Sequence, residues 1–108
     1  MAMKEIEEKD FEREVLQCNL PVVTCFTTEW CGSCYPTCLI ADELSKRYAG
    51  KVKFVRINAD RSSEVSARYH IMVMPTIIAF RDSQPMEKRI GFQDRNSWKR
   101  LLFNIAVI

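Results

Sequence analysis

Cys31 and Cys34 are the residues whose types and spacing best support chemistry in this sequence. At the start of a helix this spacing puts both thiols on one side, close enough to form one disulfide. Helix N-termini carry unpaired N–H groups and a partial positive charge, which lower the pKa of a thiol there and make it reactive. The pair therefore predicts thiol–disulfide exchange, with Cys31 exposed just before the helix and Cys34 more sheltered in its first turn.

The elements around the pair match what such a site requires. The run Val22–Thr27 is short, apolar and β-branched, which predicts a buried strand that ends just before the cysteines. Residues 34–48 have helical spacing, with the apolar side chains on one side. Pro36 is tolerated in a first helical turn. Gly32 lets the chain turn tightly and leaves the backbone amides uncovered.

The remaining pattern predicts an α/β fold. We expect a helix at 11–18 with Asp10 as its N-cap, strands at 52–57, 76–81 and 87–90, a short helix at 63–69 and an amphipathic helix at 94–105. Residues 3–6 are a candidate edge strand. This order implies a central mixed sheet of four to five strands flanked by helices on both faces. Without repeats or linkers, residues 1–108 are expected to form a single domain.

The composition excludes several classes of protein. Hydrophobic residues make up 47% and charged residues 28%, as in soluble globular domains rather than disordered chains. The net charge of +2 is too small to indicate a nucleic-acid or anionic-membrane partner. The apolar runs are too short to span a membrane, and the charged first ten residues show no secretory signal. We therefore expect a cytoplasmic protein.

The five cysteines form an odd and clustered set, which is a poor disulfide framework and fits a reducing compartment. A closed zinc site needs four ligands, and the sequence has no second CxxC and only one histidine. We therefore predict redox chemistry without a metal or bound cofactor. Cys25 and Cys38 have two open interpretations: small buried hydrophobes, which we favour, or a further redox thiol or mutual bridge. Cys18 is interpreted as a packing residue.

The sequence resembles the thioredoxin family over nearly its whole length. The resemblance is carried by the segment 26–34 (FTTEWCGSC), by Met74-Pro75-Thr76 at the start of a later strand, by Asn58-Ala59-Asp60 after the middle strand and by Gly91 after the last strand. A CxxC alone is a weak signal, whereas its combination with the Pro-Thr pair and the order of elements is specific. The resemblance implies a thioredoxin fold.

The resemblance also implies roles for the matching residues. Cys31 would be the attacking thiol and Cys34 the resolving thiol. Pro75 would follow a cis peptide bond and face the dithiol, while Met74 would offer backbone groups to an extended substrate strand. The substrate-binding residues would be Trp30, Gly32, Ser33, Met74, Pro75 and Gly91.

The sequence departs from the family pattern at positions that tune the thiols. Cys25 stands where the family has a buried acid that moves protons for the resolving thiol, and Arg56 stands where it has a lysine. Burial in apolar surroundings raises the pKa of a thiol, so Cys25 is a poor base at neutral pH. We expect slower resolution, or proton transfer through water or a group such as Glu29. Cys25 and Arg56 are assigned a tuning role.

These observations predict a protein-disulfide oxidoreductase that reduces protein disulfides through a reversible Cys31–Cys34 cycle. Its partners would be disulfide-containing proteins and an electron donor of the thioredoxin reductase type. The alternative is a non-catalytic binding module that holds a partner on the apolar surface around Trp30 and Pro75. A metal carrier is a third hypothesis. Acceleration of insulin reduction by dithiothreitol separates an enzyme from a binding module.

Overall fold

The computed structural model describes residues 3–106. Its strands are β1 (Lys4–Ile6), β2 (Val22–Thr27), β3 (Lys53–Asn58), β4 (Thr76–Arg81) and β5 (Gln84–Ile90). Its helices are α1 (Cys34–Arg47), α2 (Ser63–Arg68) and α3 (Arg95–Ala106), and short helical turns lie at Glu8–Asp10, Glu12–Leu16 and Ala59–Arg61. The strand order in the sheet is β1-β3-β2-β4-β5.

The sheet is mixed, as the sequence predicts. The central strand β2 runs parallel to β3 and antiparallel to β4, while β1 is parallel to β3 and β5 is antiparallel to β4. The predicted edge strand at the N-terminus is confirmed as β1. These directions bring the ends of β2, β3 and β5 and the start of β4 to the same edge of the sheet. The segments that carry the two cysteines, Pro75 and Gly91 leave from this edge.

Each face of the sheet buries its own core, because successive side chains of a strand point to opposite faces. On the face covered by α1 and α3, which we call the α1 face, the buried strand residues include Val23, Cys25, Ile77 and Ala79. On the opposite face, which we call the α2 face, α2 and the turns at 8–16 cover alternate residues of the same strands. Trp98 packs in the α1-face core with its helical neighbours Leu101, Leu102 and Ile105, which form the apolar side of the amphipathic helix predicted at 94–105.

Two local predictions need correction. The helix predicted at 11–18 is reduced to one π-helical turn at Glu12–Leu16, which follows a 3₁₀ turn at Glu8–Asp10. Asp10 belongs to that earlier turn, where its carboxylate accepts a hydrogen bond from the Glu7 N–H, and does not cap a helix at Phe11. Strand β5 begins at Gln84 rather than at 87, after a two-residue turn in which Asp82 and Ser83 have φ values of 52° and 69°. Pro85 fits this strand because β5 is at the sheet edge.

Candidate active site

Cys31 and Cys34 form a disulfide at the start of α1, with their Cα atoms 5.4 Å apart. Cys34 is the first residue of α1 and is buried, whereas Cys31 precedes the helix and is half-buried. Gly32 and Ser33, between them, are exposed. The Ser33 hydroxyl lies 3.7 Å from the Cys31 sulfur. The two sulfurs therefore differ in access, since the one before the helix is the more open to a partner.

The Met74–Pro75 peptide bond is cis, and Pro75 is held against the loop that follows β5. The Gly91 N–H donates a hydrogen bond of 2.8 Å to the Pro75 carbonyl oxygen. Gly91 has a φ of +87°, a backbone conformation that residues with side chains rarely adopt. Antiparallel pairing of Phe26 with Thr76 places Pro75 next to the end of β2. Pro75 and Gly91 are thus joined by a hydrogen bond at the end of the sheet where β2 leads into the two cysteines.

Thr37 and Gln93 connect this loop to α1, and sequence reasoning missed both. The Thr37 hydroxyl donates to the Ser33 carbonyl oxygen at 2.9 Å and accepts from the Gln93 N–H at 3.3 Å. The buried Gln93 side chain donates to the Gly91 carbonyl oxygen at 2.9 Å. These bonds fix the start of α1 relative to the Gly91 loop. The signal in the sequence that points to such a partner is the spacing of Thr37, which puts a hydroxyl on the same helix face as Cys34 and Ala41.

Trp30 is 72% exposed, which is unusual for a side chain of its size. Its indole N–H donates a hydrogen bond of 2.8 Å to the Asp60 carboxylate. Asp60 lies in the turn after β3, so the parallel pairing of β2 with β3 brings the two together. Sequence reasoning used Asp60 only as part of the family resemblance and did not give it this positioning role.

An open cavity of about 310 Å³ lies beside the disulfide. Cys31 and Cys34 line it together with Cys38, Asp42 and Arg56. Arg56 pairs in register with Cys25 of β2, and its guanidinium forms an ion pair of 2.8 Å with Glu5. The cavity therefore joins the disulfide to the arginine and to a third cysteine. Glu29 also lines it, but its carboxylate is paired with Arg61.

Cys25 and Cys38 have free thiols, and both belong to the buried core of the α1 face. The neighbouring Cys25 thiol holds the pKa of Cys38 below its ordinary value, and the charge of Arg56 adds to this effect. The Cys38 thiol, together with complete burial, raises the pKa of Cys25. The proton is thus retained on Cys25, and Cys38 is the thiol that ionises more readily.

Comparison with known proteins agrees with this geometry. The thioredoxin family model matches residues 2–103. The chain belongs to the thioredoxin family. It is 38% identical over 92 residues to a thioredoxin of Rickettsia felis, covering 85% of this chain and 88% of that protein. It is 32% identical over 90 residues to thioredoxin 1 of a Nostoc species, covering 83% of this chain and 84% of the relative.

The family and the Cys31–Cys34 pair together establish the reaction type. The chain is a thiol–disulfide oxidoreductase with a thioredoxin fold, and this family has disulfide substrates and reductase partners in general. Within residues 3–106, no helix is both long and apolar enough to cross a membrane. No three side chains from His, Cys, Asp or Glu gather in that part of the chain in an arrangement able to hold a metal ion.

Proposed function

We propose that this protein reduces disulfides in other proteins, with Cys31 as the attacking thiol and Cys34 as the resolving thiol. The observation that carries the proposal is the asymmetry of the pair: Cys31 is half-buried before the helix, and Cys34 is only 5% exposed within it. A substrate disulfide can approach the first sulfur, while the second is screened from solvent and from unrelated disulfides.

The reaction follows from this asymmetry. The Cys31 thiolate attacks one sulfur of the substrate, which forms a mixed disulfide and releases the other substrate sulfur as a thiolate. Cys34 then loses its proton and attacks the Cys31 sulfur. This step forms the Cys31–Cys34 bond and releases the second substrate sulfur. The products are a reduced substrate and the disulfide form described above.

The substrate would bind at the end of the sheet where the loops that contain Pro75 and Gly91 lie. Pro75 and Gly91 are joined there by a backbone hydrogen bond, and Met74 directly precedes Pro75. Trp30, directly before Cys31, offers an exposed aromatic surface. An extended segment of substrate would pair with the Met74 backbone, as in β-strand addition.

We further propose that the partners are disulfide-containing proteins and a thioredoxin reductase-type donor, and that the location is cytoplasmic. A reducing compartment suits a chain that has three free thiols besides its redox pair. Its relatives in Rickettsia and Nostoc are bacterial proteins named thioredoxin.

The Cys34→Ser variant tests the mechanism. Reduced variant protein, mixed with insulin, should accumulate a covalent adduct through Cys31, because nothing remains to resolve it. The adduct is detected by non-reducing electrophoresis and located by peptide mass spectrometry. The matched control is Cys18→Ser, which removes a half-buried thiol that packs against the α2-face core and should leave insulin reduction unchanged. Absence of an adduct, or an adduct through Cys18, would contradict the mechanism. If the wild-type protein did not accelerate insulin reduction, it would be a binding module instead.

A further inference from the structure

Three cysteines follow one another along one side of α1 and its entry. Cys31 precedes the helix, Cys34 is its first residue and Cys38 lies one turn further on. Residues four apart on a helix are neighbours on its surface. Cys31, Cys34 and Cys38 also line one cavity. Cys38 is therefore the neighbour of Cys34 one helical turn further on, while Cys31 precedes the helix.

A fourth cysteine, Cys25, lies in the neighbouring sheet. Cys25 of β2 is fully buried, and its thiol neighbours that of Cys38. Cys38 is only 6% exposed, and both belong to the core of the α1 face. A disulfide of another protein cannot readily reach either side chain, so we expect their exchange partner to lie within the protein. The Cys31–Cys34 disulfide, which lines the same cavity as Cys38, is that partner.

We propose that Cys25 and Cys38 are a second redox pair that exchanges internally with the Cys31–Cys34 disulfide. This inference rests on the proposed function for the supply of that disulfide by a substrate. Fully reduced protein would then reduce two substrate disulfides without an external donor, because the first disulfide formed moves inward and restores the dithiol at Cys31 and Cys34.

The exchange is balanced in atoms and electrons. In the first step the Cys38 thiolate attacks the Cys34 sulfur, so that the Cys34–Cys38 bond forms and the Cys31–Cys34 bond breaks, leaving a thiolate on Cys31. In the second step Cys25 gives up its proton and attacks the Cys38 sulfur, which forms the Cys25–Cys38 bond and releases Cys34 as a thiolate. The two protons of the inner thiols end on Cys31 and Cys34. One disulfide and one dithiol exchange places.

The local charges favour Cys38 as the first attacking group. Thiolates, not thiols, are the nucleophiles of disulfide exchange. Contact with Cys25 and the charge of Arg56 both lower the pKa of Cys38. Asp42 opposes this by raising it, and the Asp42 carboxylate is held by the Met3 N–H at 2.7 Å. Cys25, with its raised pKa, is suited to act second, after Cys38 has entered a disulfide.

The test counts disulfides. Fully reduced protein, freed of reductant, is treated with excess glutathione disulfide, and the remaining thiols are alkylated and mapped by mass spectrometry. In a parallel arm, the same reduced protein receives excess insulin, and the insulin disulfides reduced per chain are measured.

We expect a Cys25–Cys38 linkage in the first arm and two insulin disulfides reduced per chain in the second. Cys25→Ala and Cys38→Ala should each lower the second value to one, and Cys18→Ser should keep it at two.

The outcomes separate this inference from the proposed function. If glutathione disulfide produces only the Cys31–Cys34 bond, or if the second disulfide includes Cys18, the second pair is overturned even when insulin is reduced. If both bonds form but no insulin disulfide is reduced, the proposed function fails and the second pair stands. In Cys34→Ser the inner pair should oxidise at least ~10-fold more slowly, because the internal route is broken while solvent access is unchanged. An unchanged rate would contradict the internal exchange.

Discussion

The two faces of the sheet use the same strands but bury different chemistry. On the α2 face, Phe11, Tyr69 and Phe80 form an aromatic cluster with ring centroids 5.2–5.7 Å apart. On the α1 face, under the start of α1, the strands present a cysteine and an arginine next to a cavity. Aromatic packing of this kind stabilises the fold, whereas a thiol next to a positively charged side chain can ionise and exchange disulfide bonds. The α2 face is thus expected to set stability and the α1 face to set reactivity.

The largest effect expected on the α1 side is that of removing the attacking sulfur. Cys31→Ser should lower insulin reduction at least ~1,000-fold, because a hydroxyl at this site is not ionised and cannot form the mixed disulfide. The free energy of unfolding of the reduced protein should change little. Retention of a tenth of the activity by this variant would show that another thiol carries the reaction.

On the α2 face, the expected effect of a comparable truncation is on stability. Phe80→Ala should lower the free energy of unfolding by about 3–5 kcal/mol, since it leaves a cavity between Phe11 and Tyr69. Urea denaturation measures this change, and the folded fraction should reduce insulin at the wild-type rate. Phe80→Leu, with a smaller loss, serves if the alanine variant does not fold. If Phe80→Ala lost activity without losing stability, the two faces would not have the separate roles stated above.

Glu14, in the turn at the border of the α2 face, is expected to stabilise the fold in a way that depends on pH. Lys53 and Lys4, at 2.7 and 3.2 Å, lower the pKa of the Glu14 carboxyl to about 2. Because the folded-state pKa is depressed, this stabilisation is complete above the ordinary pKa of 4.5 and is lost as the pH falls through about 2. Glu14→Gln should therefore cost about 2 kcal/mol at neutral pH, after allowance for the exposed Lys4, and only a small part of that at pH 2.

The measurement is a series of urea titrations between pH 2 and pH 7, with the exposed Glu12→Gln as the matched control. The difference in the free energy of unfolding between wild type and Glu14→Gln should increase as the pH rises. The difference between wild type and Glu12→Gln should stay near zero. A constant difference for Glu14→Gln would mean that its packing, and not its charge, is responsible.

The smallest effect is expected at Trp30. Asp60→Ala removes the acceptor of the indole N–H and should lower kcat/KM for insulin by about 3-fold through KM, because the ring is no longer held in one orientation. Trp30→Phe should have a similar effect, and the double variant should add little to either. Additive losses would show that Asp60 acts on the site independently of the ring.

The sequence predicted the features that depend on local pattern. The Cys31–Cys34 spacing, the buried strands and the Trp98 helix face all follow from residue type and period. The contacts of Trp30 with Asp60 and of Thr37 with Gln93 could not be predicted, because they join residues 30 and 56 positions apart in sequence and depend on the strand order. The contact of Cys25 with Cys38 remained one of two alternatives for the same reason. The early start of β5 depends on a tight turn in which two non-glycine residues have positive φ.

The central claim, that Cys31 is the attacking thiol, is tested most directly by competition between thiols. Fully reduced protein is treated at pH 7 with a limiting amount of iodoacetamide, and peptide mass spectrometry then reports the modified fraction of each cysteine. Cys18 is the internal reference, since it is half-buried like Cys31 but lies away from any helix N-terminus. We expect Cys31 to react at least ~10-fold faster than Cys18 and Cys34. Equal rates at Cys31 and Cys18, or faster modification of Cys34, would contradict it.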